Sequence, residues 1–472
     1  MHKPMRPIGW VLLATIVTAV PLAGGAPGLW SAPVVVQAAT DSSPLMAAAE
    51  PAAVAPTPEK LAWLHQSLDR YLQNDDPTFS WTLSDKMMLP SVGTIYRLSL
   101  TSQTWHDIVW QHRLLVFVPQ SGVNGNTGLL YITGSEGENQ SVELMGLIAN
   151  QIHAPVAVLY DVPNQPLLGG LTEDALIAET FVRFLQSGDP TWAALLPMTK
   201  AAVRAMDAVQ AFASQQLQLN LTSFVVTGAS KRGWTTWLTG AADRRVKGIA
   251  PMVYNNLNLP AQMQLQKEEF GDYSLSIGDY TAHGLTDLAN SAAGEALAQV
   301  VDPYSFVDRL TMPKLIIEGT NDPYWPVDAL NIYRPNLKGE TYQLFIPNAG
   351  HGLAEFDTIA STLSAFYLHV VGRLALPQVE ATFSPAADEE GVDRLQIQVK
   401  PADKVQEVQI WAAVSSTKDF RSASWMQVRS LQTPPFEGSI RHIGDMHGAI
   451  LAQIILDLDG HKVTLSTPVF MQ

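Results

Sequence analysis

Three residues with the chemistry of an acyl-transfer site occur in the order serine, aspartate, histidine along the 472-residue chain. Ser230 lies in "FVVTGASKRGWTTW", where a β-rich run meets an apolar run of helical spacing. Asp322 follows "KLIIEG" in a Gly-x-x-Asp turn, and His351 follows "YQLFI" between two glycines. A histidine can take the proton of a serine hydroxyl, and a carboxylate can hold the histidine tautomer and stabilise the imidazolium. The three residues therefore predict nucleophilic catalysis.

Each of these residues also has a simpler interpretation. Ser230 could cap the helix that follows it, Asp322 could be a turn residue, and His351 could simply end a loop. Asp328 is an alternative acid. Because each of the three residues follows a predicted strand of one parallel sheet, their side chains are expected at the same sheet edge, which favours a Ser230–His351–Asp322 triad.

Two backbone N–H groups are candidates for stabilising an oxyanion. The first belongs to Lys231, which directly follows the nucleophile at the start of a predicted helix. The second should come from the loop after the early strand "LLYI", where Ser135 and Gly134 are the alternatives. Ser135 and Lys231 are the predicted pair.

Two basic side chains follow the nucleophile directly. Cations at a helix N-terminus are unfavourable because the helix dipole is positive there, so Lys231 and Arg232 suggest a functional use. Arg232 is predicted to bind substrate, and the substrate to carry negative charge near the scissile carbonyl. The structural alternative is pairing with an acid such as Glu136, Glu138 or Asp174.

The elements that must position these residues alternate between strands and helices. Between residues 61 and 376, short apolar runs typical of strands buried on both faces alternate with amphipathic helices, which predicts an α/β fold with a mostly parallel sheet. The stretch between Val253 and Lys314 is far longer than one strand–helix connection needs. A helical cap insertion is predicted at about 255–312, and a packing excursion without substrate contact is the alternative. The predicted strands are 114–118, 129–132, 156–160, 224–227, 248–253, 314–319 and 342–346.

The last part of the chain has a different pattern. In residues 377–472, runs such as "RLQIQVK" and "ILAQIILDL" alternate with period two, which predicts a small all-β, Ig-like sandwich. His442 and His447 lie there without metal-ligand spacing. No metal site and no cofactor is predicted.

The N-terminus has the pattern of an export signal. Lys3 and Arg6 precede the apolar run Ile8–Leu22, which predicts a signal peptide over 1–39, with a membrane anchor as the alternative. An Ala/Pro-rich tether is predicted over 40–60. The exported protein, periplasmic or secreted, has no cysteine and so no disulfide. Its net charge of −15 argues against a nucleic-acid partner.

Several long motifs resemble the PhoPQ-activated pathogenicity-related protein family, within the α/β-hydrolase superfamily. They include "VPNQPL", "PMTKAAVRAMD", "GASKRGWTTWLTGAADRRV", "EGTNDPYWPVDA", "PNAGHG" and "KDFRSASW". The resemblance spans residues 71–425 and implies an α/β-hydrolase fold with the triad at Ser230, Asp322 and His351. The nucleophile motif departs from Gly-x-Ser-x-Gly because its second glycine is shifted to Gly233, a form similar to that of glucuronoyl esterases.

The sequence thus predicts an exported serine hydrolase that acts on carboxylic esters. Its expected partner is a small-molecule, peptide or carbohydrate ester rather than a nucleic acid. An exported serine peptidase is one alternative, and a catalytically silent binding protein related to virulence is another.

Overall fold

The computed structural model describes residues 56–90, 92–135 and 138–472, and for residues 138–143 it describes the backbone alone. The predicted signal peptide and the tether up to residue 55 lie outside the described residues. The first helix begins at Pro58, so the last residues of the predicted tether are helical. Thr57 caps this helix, since its hydroxyl accepts a hydrogen bond from the N–H of Lys60.

Among the residues that the structure describes, nine strands form the main sheet: β1 (Ser80–Leu89), β2 (Gly93–Trp105), β3 (Ile108–Pro119), β4 (Thr127–Ile132), β5 (Val156–Leu159), β6 (Ser223–Ala229), β7 (Val246–Met252), β8 (Lys314–Gly319) and β9 (Thr341–Ile346). Their order is β1-β2-β3-β5-β4-β6-β7-β8-β9. The first three strands and the β3–β5 pair are antiparallel, whereas all neighbours from β5 to β9 are parallel. The mostly parallel sheet and all seven predicted strands are confirmed.

The central strands are buried on both faces, as their continuous apolar sequences require. Every residue of β5 and β8 is buried. In β4, Leu129 and Leu130 point to opposite faces and belong to two different hydrophobic cores. The long strands β1 and β2 were not predicted; β1 is mostly exposed, so its sequence lacks the apolar run that marks the central strands.

Helices cover both faces of this sheet: α1 (Pro58–His65), α2 (Ser67–Gln73), α3 (Glu138–Ile152), α4 (Glu173–Ser187), α5 (Leu195–Phe212), α6 (Lys231–Ala242), α7 (Leu259–Phe270), α8 (Gly278–Ala282), α9 (Ala292–Val301), α10 (Leu330–Tyr333) and α11 (Phe356–Val370). Ile148 of α3 and Phe366 of α11 share one core, whereas Met206 of α5 and Trp237 of α6 share the other. Among the described residues, no helix combines the length and the apolar character needed to cross a bilayer.

The long connection between β7 and β8 contains α7, α8 and α9. It leaves the sheet at the carboxyl end of β7, which is the edge where ligands bind in α/β sheets. Met263, Ile277 and Leu297 from this connection join the hydrophobic core that contains Trp234 of α6. The predicted cap insertion therefore packs over the same sheet edge that carries Ser230.

The C-terminal strands form two antiparallel sheets. They are β10 (Gln378–Pro385), β11 (Val392–Lys400), β12 (Val405–Ser415), β13 (Met426–Leu431), β14 (Phe436–Arg441), β15 (His447–Leu458), β16 (His461–Ser466) and β17 (Phe470–Met471). One sheet has the order β10-β11-β14, and the other has the order β13-β12-β15-β16 with β17 paired to β15. The sheets approach closely at Gly438, where a Cβ would lie 2.6 Å from a methyl carbon of Ile410. The predicted all-β region is confirmed.

The second of these sheets covers the free edge of the main sheet at β9. The hydroxyl of Ser466 accepts a hydrogen bond from the N–H of Phe345 at 3.0 Å, and the Gln453 amide donates to the Phe345 carbonyl at 2.8 Å. The Gln343 amide in turn donates to the Ser466 carbonyl at 2.8 Å. Because an edge strand otherwise offers unpaired backbone groups, these bonds protect β9 from pairing with another chain.

We predict that removal of residues 378–472 uncovers β9 and one side of α11. The truncated chain should self-associate and bind a fluorescent dye that reports exposed apolar surface, as measured by size-exclusion chromatography and dye titration. The full-length Gln453→Ala variant is the control: it should lose about 1–3 kcal/mol of unfolding free energy without binding dye. A monomeric truncated chain that binds no dye would contradict this prediction.

Candidate active site

Ser230 occupies a sharp turn between β6 and α6. Its backbone angles are φ 57° and ψ −125°, a conformation that costs a non-glycine residue about 1–3 kcal/mol. The turn is held by two hydrogen bonds, from the N–H of Ser230 to the carbonyl of Met252 at 2.9 Å and from the N–H of Trp234 to the carbonyl of Ser230 at 3.0 Å. The strain thus lies at the residue whose hydroxyl projects from the sheet edge.

Two glycines allow this turn to form. A Cβ on Gly228 would lie 2.7 Å from the carbonyl oxygen of Arg232, and a Cβ on Gly233 would lie 2.7 Å from that of Met252. Gly233 therefore lets the first turn of α6 approach the end of β7. Position 233, not position 232, faces the end of β7, which explains why the second glycine of the motif is shifted by one residue. Position 232 can therefore carry a long side chain.

Ser230, His351 and Asp322 are joined by hydrogen bonds. The Ser230 Oγ lies 2.8 Å from the His351 Nε2. The His351 Nδ1 lies 2.8 Å from Oδ2 and 3.1 Å from Oδ1 of Asp322. The imidazole is partly exposed, with 21% of its side-chain surface accessible, whereas only 3% of the Asp322 side chain is. This arrangement lets Nδ1–H donate to the carboxylate while Nε2 accepts the serine proton.

Residues around Asp322 hold the imidazole and the carboxylate in place. The ring of Tyr324 stacks on that of His351 with centroids 4.0 Å apart, and the N–H of Tyr324 donates to Asp322 Oδ1 at 2.8 Å. Tyr324 was not predicted as a site residue, although its place two residues after Asp322 suits a turn that returns to the carboxylate. Burial, and then the charge of Asp322, raise the pKa of Glu318 in β8 well above its usual range.

Asp328, the alternative acid, has a different partner. Its carboxyl group faces that of Glu269 in α7, while Asp322 is the residue bonded to His351. Burial, and then the charge of Asp328, raise the pKa of Glu269 to about 9, and burial also raises the pKa of Asp328. The two carboxyl groups therefore share a proton at neutral pH and link the cap to the loop after β8.

Lys231 and Arg232 are both paired with acids of α4. The Lys231 Nζ lies 2.9 Å from Asp174 and 3.2 Å from Glu173. Arg232 donates to both carboxylate oxygens of Glu173, at 2.8 and 2.7 Å, and through Nε to the Val162 carbonyl at 2.6 Å. Burial by itself would raise the pKa of the Glu173 carboxyl. The two neighbouring cations, Arg232 foremost, outweigh burial and lower this pKa to about 2.

These pairs favour the structural alternative for both cations. Asp174 was one of the three acids proposed as partners, whereas Glu136 and the side chain of Glu138 lie outside the described residues. Glu173 was missed, although it is the neighbour of Asp174 in the motif "EDALIA". Because the nitrogens of Arg232 are engaged with the protein, its predicted role in binding substrate receives no support from this geometry.

Ser135 lies in the loop after β4, which neighbours β6 in the sheet. Ile132 at the end of β4 is in register with Gly228, so the loop begins beside the Ser230 turn. A Cβ on Gly134 would lie 2.8 Å from the guanidinium of Arg232, and the Ser135 carbonyl accepts from Arg113 at 2.8 Å. Arg113 thus anchors the carbonyl of Ser135. The role of the Ser135 N–H as an oxyanion donor stays a prediction.

Two asparagines join the loops of Asp322 and His351 to the C-terminal region. The Asn321 amide donates to the carbonyls of Ala423 at 2.7 Å and Arg421 at 3.2 Å. Asn348 donates to the carbonyl of Trp425 at 2.9 Å and accepts from its N–H at 2.8 Å. Neither asparagine was predicted as a site residue, although they lie in the motifs "EGTNDPYWPVDA" and "PNAGHG" and bind the motif "KDFRSASW".

Comparison with known proteins identifies the family. The model of the PhoPQ-activated pathogenicity-related proteins matches residues 68–421. The chain is 33% identical over 389 residues to autocrine proliferation repressor protein A of Dictyostelium discoideum, covering 76% of this chain and 77% of the relative. This chain belongs to the PhoPQ-activated pathogenicity-related protein family. The family match contains Ser230, Asp322 and His351 and extends to the segment that binds Asn321.

Two solved esterase structures align with part of this chain at low sequence identity. An acetyl xylan esterase from Paenibacillus sp. R4 aligns with a TM-score of 0.46 and 12% identity, covering 66% of this chain and 95% of the esterase. A glucuronoyl esterase from Solibacter usitatus aligns with a TM-score of 0.40 and 12% identity, covering 67% of this chain and 91% of the esterase. The described residues form a mostly parallel sheet with helices on both faces and two appended antiparallel sheets, which agrees with the fold expected from the resemblance to the PhoPQ-activated family.

We predict that Asn321→Ala disturbs the hydrogen bond between His351 and Asp322. Loss of the Asn321 amide leaves buried carbonyls without a donor and should cost about 1–3 kcal/mol of unfolding free energy. It should also shift or broaden the NMR signal of the His351 Nδ1 proton. Asn331→Ala is the matched control, because Asn331 in α10 likewise donates to the C-terminal region, at Val469. An unchanged His351 signal in Asn321→Ala would contradict the prediction.

We predict that the Glu269–Asp328 pair makes the protein less stable as the pH rises. Folded Glu269 retains a proton up to about pH 9, whereas the unfolded chain releases it near pH 4.5, so the unfolding free energy falls across this window. One retained proton can lower the unfolding free energy by at most about 1.4 kcal/mol per pH unit. Glu269→Gln should therefore reduce this loss in denaturant titrations at pH 5 to 9. Glu268→Gln, at the exposed neighbouring position, should follow the wild type; identical pH profiles of the two variants would refute the assignment.

Proposed function

We propose that this chain is an exported serine hydrolase that cleaves carboxylic esters, with Ser230 as nucleophile, His351 as general base and Asp322 as the acid. The observation that carries the proposal is the hydrogen-bonded series from the Ser230 Oγ through the His351 imidazole to Asp322, with 2.8 Å at both steps. The strained backbone of Ser230 supports it, since such strain at a strand-to-helix turn is typical of a functional nucleophile.

The reaction follows from the roles of these groups. The Ser230 Oγ attacks the ester carbonyl while the His351 Nε2 takes its proton, and Asp322 stabilises the imidazolium through Nδ1–H. The imidazolium then returns the proton to the leaving alcohol as the acyl group stays bound to Ser230. Water, deprotonated by His351, attacks the acyl-enzyme and releases the carboxylic acid, which restores the serine hydroxyl.

Backbone N–H groups of Lys231 and Ser135 are proposed to stabilise the oxyanion that forms on the carbonyl oxygen. Lys231 is the first residue of α6, so its N–H lies at the positive end of the helix dipole. The Lys231 side chain is paired with Asp174 and Glu173, so the group of this residue proposed to bind the oxyanion is its backbone N–H. The loop of Ser135 lies beside the Ser230 turn because β4 pairs with β6.

Export is the part of the proposal that rests on the N-terminal sequence, with Lys3 and Arg6 before the apolar run Ile8–Leu22. A serine peptidase would use the same three side chains, so aminoacyl amides belong in the same substrate panel as esters. A catalytically silent binding protein would not need the hydrogen bond between Ser230 and His351. Labelling with a covalent serine probe distinguishes such a protein from an esterase or a peptidase.

We predict that a fluorophosphonate probe labels the wild type and that Ser230→Ala abolishes the label. Ester turnover of Ser230→Ala and His351→Ala should each fall by about 10⁴-fold or more, because nucleophile and base act as a unit. Asp322→Ala should cost less, since the acid acts through the histidine. Circular dichroism checks that the variants are folded.

Asp328→Asn is the matched control for the acid, because Asp328 faces Glu269 and His351 is bonded to Asp322 instead. It should retain turnover within about threefold of the wild type. A larger loss in Asp328→Asn than in Asp322→Ala would show that the wrong acid was assigned. Residual activity of Ser230→Ala within tenfold of the wild type would refute the nucleophile.

A further inference from the structure

A cavity opens beside Ser230, between α6 and the cap. Its space, including the part open to solvent, is about 780 Å³. Ser230 and Lys231 form part of one wall, and α7 and α9 of the cap form the opposite side through Met263 and Leu297. A group attached to the Ser230 oxygen can therefore extend into it.

The wall of this cavity consists mainly of aromatic rings and aliphatic side chains. Trp234 stacks on Tyr254 with ring centroids 4.9 Å apart. Trp234 Nε1 donates to the Val301 carbonyl, and the Tyr280 hydroxyl donates to Asp174 at 3.0 Å, so these polar atoms are already used within the protein. What remains for a ligand is chiefly carbon surface, from Phe181, Trp234, Tyr254, Leu285, Leu297 and Trp325.

The two charged side chains in the wall neutralise each other. Asp174 accepts hydrogen bonds from Lys231 at 2.9 Å and from the hydroxyls of Tyr280 and Tyr324 at 3.0 and 3.4 Å. Only 9% of the Lys231 side chain and 14% of the Asp174 side chain is exposed. A charged ligand group would find no free charged partner in this wall, so its transfer from water would be unfavourable. The cavity therefore suits an uncharged ligand.

The position of His351 decides which part of an ester the cavity holds. The leaving alcohol must reach the His351 Nε2 to receive its proton, whereas the acyl carbon stays bonded to the Ser230 oxygen. Ser230, Lys231 and Trp234 contribute to the cavity wall, but His351 does not, among the residues that the structure describes. The acyl group therefore extends into the cavity, and the alcohol leaves on the His351 side.

We propose that this cavity binds the acyl part of the substrate and selects bulky, uncharged, apolar acyl groups over acetyl. This inference rests on the proposed ester hydrolysis at Ser230. Acyl carbons in the cavity replace water against the aromatic wall, and an acetyl group leaves most of that surface unused. The selectivity differs from that expected if Lys231 and Arg232 bound an anionic group, because both cations are paired with Glu173 and Asp174.

Four p-nitrophenyl esters with the same leaving group test the proposal: acetate, octanoate, phenylacetate and hemisuccinate. We expect kcat/KM for octanoate or phenylacetate to exceed that for acetate by about tenfold or more, since each methylene in an apolar site contributes several-fold. The ratio of octanoate to phenylacetate separates an aliphatic from an aromatic acyl group. Hemisuccinate, which carries a carboxylate, should be the poorest of the three longer substrates.

A cavity-filling variant links this preference to the cavity. Ala289 lines it, so Ala289→Phe should lower the octanoate-to-acetate and phenylacetate-to-acetate ratios by about tenfold. Ala282→Phe is the matched control, because Ala282 ends α8 at an exposed position and should keep the wild-type ratios. Equal melting temperatures of the two variants exclude a difference in folding. Calorimetric titration of Ser230→Ala with p-nitrophenyl phenylacetate and acetate measures binding without turnover.

The outcomes separate this inference from the proposed function. A fluorophosphonate-labelled enzyme that prefers acetate or hemisuccinate would overturn the apolar acyl site and leave the serine hydrolase intact. Unchanged ratios in Ala289→Phe would likewise overturn it. An unlabelled wild type that hydrolyses none of the esters would refute the proposed function, and failure of Ser230→Ala to bind phenylacetate more tightly than acetate would then refute the apolar site as well.

Discussion

The close approach of α6 to β6 and β7 is the constraint on which the rest of the site depends. It requires glycine at 228 and 233, because a Cβ at either position would meet a backbone carbonyl at 2.7 Å. It also forces Ser230 to φ 57°, which is unfavourable for a residue with a side chain. In return the hydroxyl stands at the sheet edge, 2.8 Å from His351, with the N-terminus of a helix beside it.

An ion pair between the buried Arg232 and the partly exposed Glu173 ties this turn to the neighbouring loops. The Arg232 guanidinium contacts Gly134 and donates two hydrogen bonds to Glu173 at the start of α4, and its Nε donates to the Val162 carbonyl. Such a pair is weak evidence for added stability, since solvent screens the exposed carboxylate and burial of the arginine offsets part of the attraction. It does fix geometry, because the planar guanidinium holds three separate segments around the first turn of α6 at once.

The acid and the base lie on loops that the C-terminal sheets hold from outside. Asn321 and Asn348 bind the carbonyls of residues 421–425, and Ser466 and Gln453 pair with the exposed edge of β9, which ends shortly before His351. The cap closes the opposite side through the Glu269–Asp328 pair. Parts of the chain that are far apart in sequence thus determine how rigidly the imidazole faces Ser230.

The sequence by itself determined the strands β3 to β9, the long connection between β7 and β8, the appended antiparallel sheets and the order of Ser230, Asp322 and His351. These features follow from local apolar periodicity and turn residues, which act over a few neighbours. Only the tertiary structure decided that His351 faces Asp322 while Asp328 shares a proton with Glu269, and that Arg232 is taken up by Glu173. The hydrogen bond from Asn321 to the carbonyl of Ala423 was likewise decided only by the tertiary structure. The physical reason is that such side-chain partners come from segments tens of residues apart, so their pairing depends on how helices, loops and sheets pack and on which charges that packing buries.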